Sequence, residues 1–110
     1  MGYAVAKLTE LGYNISIPIT DSQDYDLIAD LEGVLLKVQV KTTSYKDKKS
    51  EYYMVALRTK TYNKLKSFTD SDCDLLFVLT ESGQMYLIPK NEIKVRNGLT
   101  LTTEFDKYSV

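Results

Sequence analysis

The sequence predicts an α/β fold, a mixed central β-sheet flanked by helices. Three observations predict it. An amphipathic stripe opens the chain, two β-rich runs follow on either side of Glu32-Gly33, and a nearly continuous apolar run from Leu75 to Thr80 has the character of a buried strand. A chain of 110 residues, 44% hydrophobic, suffices for one ordinary core, so a single domain over residues 1–110 is expected.

In order along the chain, Val5, Leu8 and Leu11 share a stripe and Gly12 stands where a C-terminal cap belongs, so residues 3–11 read as a first helix. Residues 14–18 alternate like a strand and stop at Pro18; residues 20–24 are polar and turn-like. Residues 25–31 and 34–43 read as two strands of a hairpin turning at Glu32-Gly33. Residues 44–50 form a charged, mobile loop in this reading, and residues 51–58 resume as a strand. Residues 59–68 resemble a short second helix. After the buried strand, Glu81-Ser82-Gly83 turns into a strand over residues 84–89, and the tail adds a helical turn and one strand around Leu99.

Composition excludes several chemistries. Histidine is absent and Cys73 is the one cysteine, which removes catalytic triads, histidine general bases, histidine- or cysteine-held zinc and any internal disulfide. Catalysis must then rest on carboxylates, amides, lysine, tyrosine or a hard metal held by oxygen. No apolar run reaches the ~20 residues of a membrane span, and no signal peptide is visible, so a soluble, cytoplasmic protein without a membrane partner is expected. The net charge of −1 is uninformative, but its distribution is not. Residues 21–32 hold five acids and no base, whereas residues 41–66 hold eight bases against Asp47 and Glu51. An acidic block suited to a cation precedes a basic block suited to phosphates.

With Glu32 and Gly33 at the turn, paired positions sum to 65, so Ile28 faces Lys37 and Asp26 faces Gln39. Alternation puts Gln39 and Lys41 on one face, with Lys41 diagonal to Asp26, and sends Tyr25, Leu27, Ala29, Val38 and Val40 to the core. A carboxylate, an amide and an ammonium gathered on one face suit phosphodiester hydrolysis. Asp26, the Gln39 carbonyl and the Val40 backbone carbonyl are hard oxygen ligands for Mg²⁺ or Mn²⁺. Three roles stay open for Lys41: orienting the attacking water, deprotonating it, or neutralising charge in the transition state. The competing reading of the same residues is an exposed polar sheet face with charges paired across strands.

The segments Ile17-Pro18, Asp24-Tyr25-Asp26-Leu27-Ile28 and Val38-Gln39-Val40-Lys41-Thr42-Thr43 resemble the PD-(D/E)XK nuclease superfamily, above all its group I intron-associated homing endonuclease branch, where glutamine replaces the usual acid. The likeness extends through the Gly12-Tyr13 turn and residues 85–89, most of the chain. It implies a restriction-endonuclease-like core, with Asp26 binding metal, Gln39 beside it and Lys41 catalytic. It also implies an acid near the start of the first helix, where Gly2 or Met1 stands.

These readings lead to a Mg²⁺- or Mn²⁺-dependent endonuclease acting on DNA, with RNA left open, as a homo-oligomer (dimer or tetramer) that brings two sites to two strands. A Holliday-junction-resolvase-like nuclease and a catalytically degenerate nucleic-acid-binding or inhibitory partner are the alternatives. Thr43, Tyr45, Lys46, Lys48 and Lys49 are the expected nucleic-acid contacts, the lysines to the backbone, Thr43 to a phosphate and Tyr45 by stacking on a base. Of the tyrosines in the basic block (Tyr45, Tyr52, Tyr53 and Tyr62), all but Tyr45 read as strand residues, and Cys73 reads as inert.

Overall fold

The computed structural model describes residues 1–20, 22–61 and 64–110. Its centre is a five-stranded sheet of order β1-β2-β3-β7-β8, formed by β1 (Asn14–Ser16), β2 (Leu27–Leu31), β3 (Val34–Thr43), β7 (Leu75–Thr80) and β8 (Met85–Pro89). The β3–β7 pair is parallel and the others antiparallel, so the sheet is mixed as expected. Leu31↔Val34 through Leu27↔Val38 all sum to 65, the register read from the turn. Glu32 (φ 52°) and Gly33 (φ 86°) both take the left-handed region, which a two-residue turn matched to strand twist requires.

One face of the sheet is covered by α1 (Gly2–Glu10), whose Ala4 and Leu8 are buried against Leu27, Ala29, Val38 and Phe77. A helix three or four residues per turn brings positions 4 and 8 to one side, which is why this short element can seal the face. The other face is covered by β-structure. β4 (Met54–Ala56) pairs with β9 (Gly98–Thr100), and β5 (Arg58–Thr61) pairs with β6 (Lys64–Ser67). Their buried side chains, with Phe68, Ile93 and Phe105 from irregular and 3-10 segments, close over Leu76, Val78, Tyr86 and Ile88.

Four expectations need correction. The second helix, residues 59–68, is in its described part the β5–β6 hairpin followed by a 3-10 turn; the β-branched Thr59 and Thr61 favour a strand, Leu65 is 62% exposed, and Phe68 is driven into the core. A single α-helix therefore flanks the sheet among the described residues. The strand over residues 51–58 is divided between β4 and β5 at Leu57, which is fully buried and bonds Asn97 and Phe68 instead of a ladder. Residues 44–50 are not a free loop: Asp47 and Tyr52, Lys46 and Tyr53, and Tyr45 and Met54 are joined across it, and Asp47 Oδ2 accepts from Ser50. Lastly, Tyr25 packs with the β-covered face and not with α1, for a reason that lies at Asp26. Tyr62 lies outside the described residues.

Candidate active site

The ladder between β2 and β3 ends one residue short of Asp26. Asp26 N donates to Val38 O at 2.8 Å, although Val38 is already the partner of Leu27. Two residues thus oppose one, the count of a β-bulge, and a bulge reverses the facing of what precedes it. This turns Tyr25 to the β-covered face, where the Lys37 ammonium stands 5.6 Å from its ring centre. It also re-aims Asp26, whose expected pairing with Gln39 is replaced by a bond from Val40 N to Asp26 Oδ2 at 2.7 Å. The carboxylate takes the place of a ladder carbonyl and is held rigidly at the sheet margin.

Asp26, Gln39, Val40 and Lys41 nevertheless line one cavity of about 390 Å³, with Asp24, Thr59 and Met1. Gln39 is buried, and its Nε2 donates to the Asp24 carbonyl at 2.9 Å, which fixes the amide's orientation because a carbonyl can only accept. Gln39 Oε1 is then left buried with no hydrogen-bond partner. An unpaired buried acceptor costs about 1–3 kcal/mol, which a water or a cation bound at this oxygen would relieve. Lys41 is half-buried; burial lowers its pKa and the nearby Asp26 carboxylate partly restores it. Its ammonium donates to Thr59 Oγ1.

Three residues of this site escape a sequence reading. Asp24 brings a second carboxylate to the cavity, but Lys66 Nζ holds it at 2.8 Å. Thr59 and Lys66 come from the hairpin expected as a helix, and their partners are 18 and 42 residues away in the chain. The one available signal was the strand propensity of Thr59 and Thr61. Cys73 is buried, and its thiol, pushed up by burial, points at the Asp24 carbonyl 3.6 Å away. Asp30 accepts from Gly33 N at the turn, away from the cavity.

The expected nucleic-acid contacts stand on the hairpin that continues β3 beyond Lys41. Thr43 at its base spends its hydroxyl proton on Met54 O at 2.5 Å. Tyr45, Lys48 and Lys49 are exposed, and Lys46 Nζ lies 4.9 Å from the centre of the Tyr53 ring.

The Asp26 carboxylate and the Gln39 amide oxygen are hard oxygens of the kind a divalent cation takes. Among the described residues no group of three or more acidic, cysteine or histidine side chains forms a cage, so such an ion would keep much of its water, as Mg²⁺ does. A carboxylate, an amide and an amine thus stand around one open cavity on a mixed α/β sheet.

The sequence model of the PD-(D/E)XK endonuclease family matches residues 2–107, and the chain belongs to that family. Among solved structures, the bacterial homing endonuclease I-Ssp6803I is similar with a TM-score of 0.77 and 24% identity, over 98% of this chain and 82% of that one. The restriction-endonuclease-like fold is therefore established. No curated protein matches the chain. Among the described residues no helix is long and apolar enough to cross a membrane.

Proposed function

We propose that this protein is a Mg²⁺- or Mn²⁺-dependent endonuclease that hydrolyses phosphodiester bonds of DNA. The observation that carries the reading is the buried, unpartnered Gln39 Oε1 in the cavity it shares with Asp26 and Lys41. Asp26, Gln39 and the Val40 carbonyl would hold the cation, which supplies Lewis-acid polarisation of a phosphate oxygen and a lowered pKa for water. Asp26 contributes a carboxylate immobilised by Val40 N, so little reorganisation is needed when charge develops. Lys41 contributes an amine whose pKa burial has already lowered, suited to receive a proton from water or to give one to the departing oxygen.

Lys46, Lys48 and Lys49, on the hairpin that follows Lys41, would neutralise backbone phosphates, with Tyr45 presenting a ring to the nucleic acid and Thr43 setting the base of that hairpin. One such site addresses one strand, so cutting both requires a homo-oligomer, a dimer or tetramer. The exposed Leu31, Val34 and Leu35 at the β2–β3 turn offer an apolar contact for it.

A second reading, binding without cleavage, is favoured by one observation: among the described residues only Asp24 and Asp26 bring carboxylates to the cavity, and Asp24 is engaged by Lys66. Incubation with supercoiled plasmid, a synthetic four-way junction and single-stranded RNA, in Mg²⁺, Mn²⁺ or EDTA, separates the readings. Metal-dependent nicking of plasmid is expected; preferential cutting of the junction would make it a resolvase, and tight binding with no cutting would leave a binding module.

A further inference from the structure

The β5–β6 hairpin is no part of the five-stranded sheet, yet it touches the site twice. Thr59 Oγ1 accepts from the Lys41 ammonium, and Lys66 Nζ donates to Asp24 Oδ2 at 2.8 Å. Thr59 and Lys66 are cross-strand partners, so a single rung of the ladder makes both contacts. Residues directly opposite each other in an antiparallel pair share a face and move together. The Asp24 carbonyl, in turn, accepts from Gln39 Nε2 at 2.9 Å.

We infer that the Thr59–Lys66 rung is a positioning pair for the site: Thr59 holds the Lys41 amine in place, and Lys66, through Asp24, steadies the carbonyl that orients Gln39. A lysine side chain carries about 2 kcal/mol of rotamer freedom, and one fixed acceptor at its tip selects among those rotamers. In this cavity the competing acceptor is the Asp26 carboxylate, close enough to Lys41 to act on its charge. Without the Thr59 hydroxyl the ammonium loses its fixed acceptor and wanders among rotamers, some of which cover the oxygen that a cation needs. Lys66 acts at the other end of the rung by tying up the Asp24 carboxylate, which anchors the segment whose carbonyl Gln39 uses. Neither residue touches the reacting atoms, and misplacement by about 1 Å at such a site costs up to ~100-fold in rate.

The kinetic consequence rests on the nuclease reading; the contacts themselves do not. The test uses the whole 110-residue chain with Thr59→Val, which keeps the β-branched shape and removes the hydroxyl, Thr59→Ser, which returns it, and Lys66→Met. NMR relaxation at Lys41 Cε, with no nucleic acid present, reports side-chain order, and the Gln39 side-chain amide signal reports its orientation. Expected are loss of Lys41 order in Thr59→Val, its return in Thr59→Ser, and a shifted Gln39 amide signal in Lys66→Met. In plasmid nicking, kcat falls about tenfold in Thr59→Val at unchanged KM, the size of one hydrogen bond to a charged group. Unaltered Lys41 order in Thr59→Val, or an unmoved Gln39 signal in Lys66→Met, would overturn the inference. Should the parent protein not cut at all, the nuclease reading falls while relaxation still decides this one. Should Thr59→Val not fold, Thr59→Ala gives the same comparison.

Discussion

Asp26 is tied to the sheet through Oδ2, which takes the N–H of Val40. Asp26→Asn keeps an acceptor at that place and removes the charge. Its folding stability is expected to stay within about 1 kcal/mol of the parent, because the neutral hydrogen bond survives. Calorimetry with and without Mg²⁺ or Mn²⁺ is expected to show a metal-induced rise in thermal midpoint in the parent and none in this variant. Lys41 carries the opposite trade. Burial lowers its pKa from the ordinary 10.5, against a weaker pull from Asp26. Between the folded value and 10.5 the unfolded chain binds more protons, so stability rises with pH across that window, and below it the charged lysine costs stability in full. Lys41→Met should therefore melt at a higher temperature than the parent at pH 7, with the difference shrinking toward alkaline pH. At this scale part of the site was legible: strand alternation puts Gln39 and Lys41 on one face, and both line the cavity that Asp26 also reaches. The bulge that re-aims Asp26 was not, since it depends on a carboxylate outcompeting a carbonyl for one N–H, and no local pattern encodes that.

The elements divide in the same way. The β2–β3 turn announces itself in Glu32-Gly33, and its geometry suggests an improvement: glutamate at φ 52° is strained, whereas asparagine adopts the left-handed region readily. Glu32→Asn is expected to stabilise the protein by about 0.5–1 kcal/mol, and Gly33→Ala to cost about 1 kcal/mol, in urea unfolding. The β5–β6 hairpin does not show itself in the sequence, because its cross-strand partners, Thr59↔Lys66 and Arg58↔Ser67, lie within a span that a short helix covers equally well. Charge alone likewise made residues 44–50 look free. Their order comes from backbone bonds between Asp47 and Tyr52 and between Tyr45 and Met54, which depend on geometry and not on polarity.

For the whole molecule, the described helix on one face and β-structure on the other leave the cavity on the sheet, and the hairpin that bears Lys46, Lys48 and Lys49 continues the strand that carries Lys41. Each lysine that meets a phosphate releases about one counterion, so removing Lys48 and Lys49 together should flatten the slope of log affinity against log salt by roughly 2. Filter binding between 50 and 200 mM salt, the range in which a duplex-binding protein changes most, measures it. Apolar exposure at Leu31, Val34 and Leu35 is the counterpart at the far end of β3, and Leu35→Lys is expected to lower the oligomeric mass seen by sedimentation without unfolding the chain. Mixed sheet, helix and register could be read from periodicity, whereas the β4–β9 pair of the covering layer could not, because it joins residues more than 40 positions apart, Met54 with Thr100 among them. The central claim is that this cavity hydrolyses phosphodiesters, and the nicking rate of supercoiled plasmid in saturating Mg²⁺, parent against Lys41→Ala, tests it most directly. The account predicts cutting by the parent and a loss of at least ~100-fold in the variant with DNA affinity retained; equal rates in the two proteins, or no cutting by either, would contradict it.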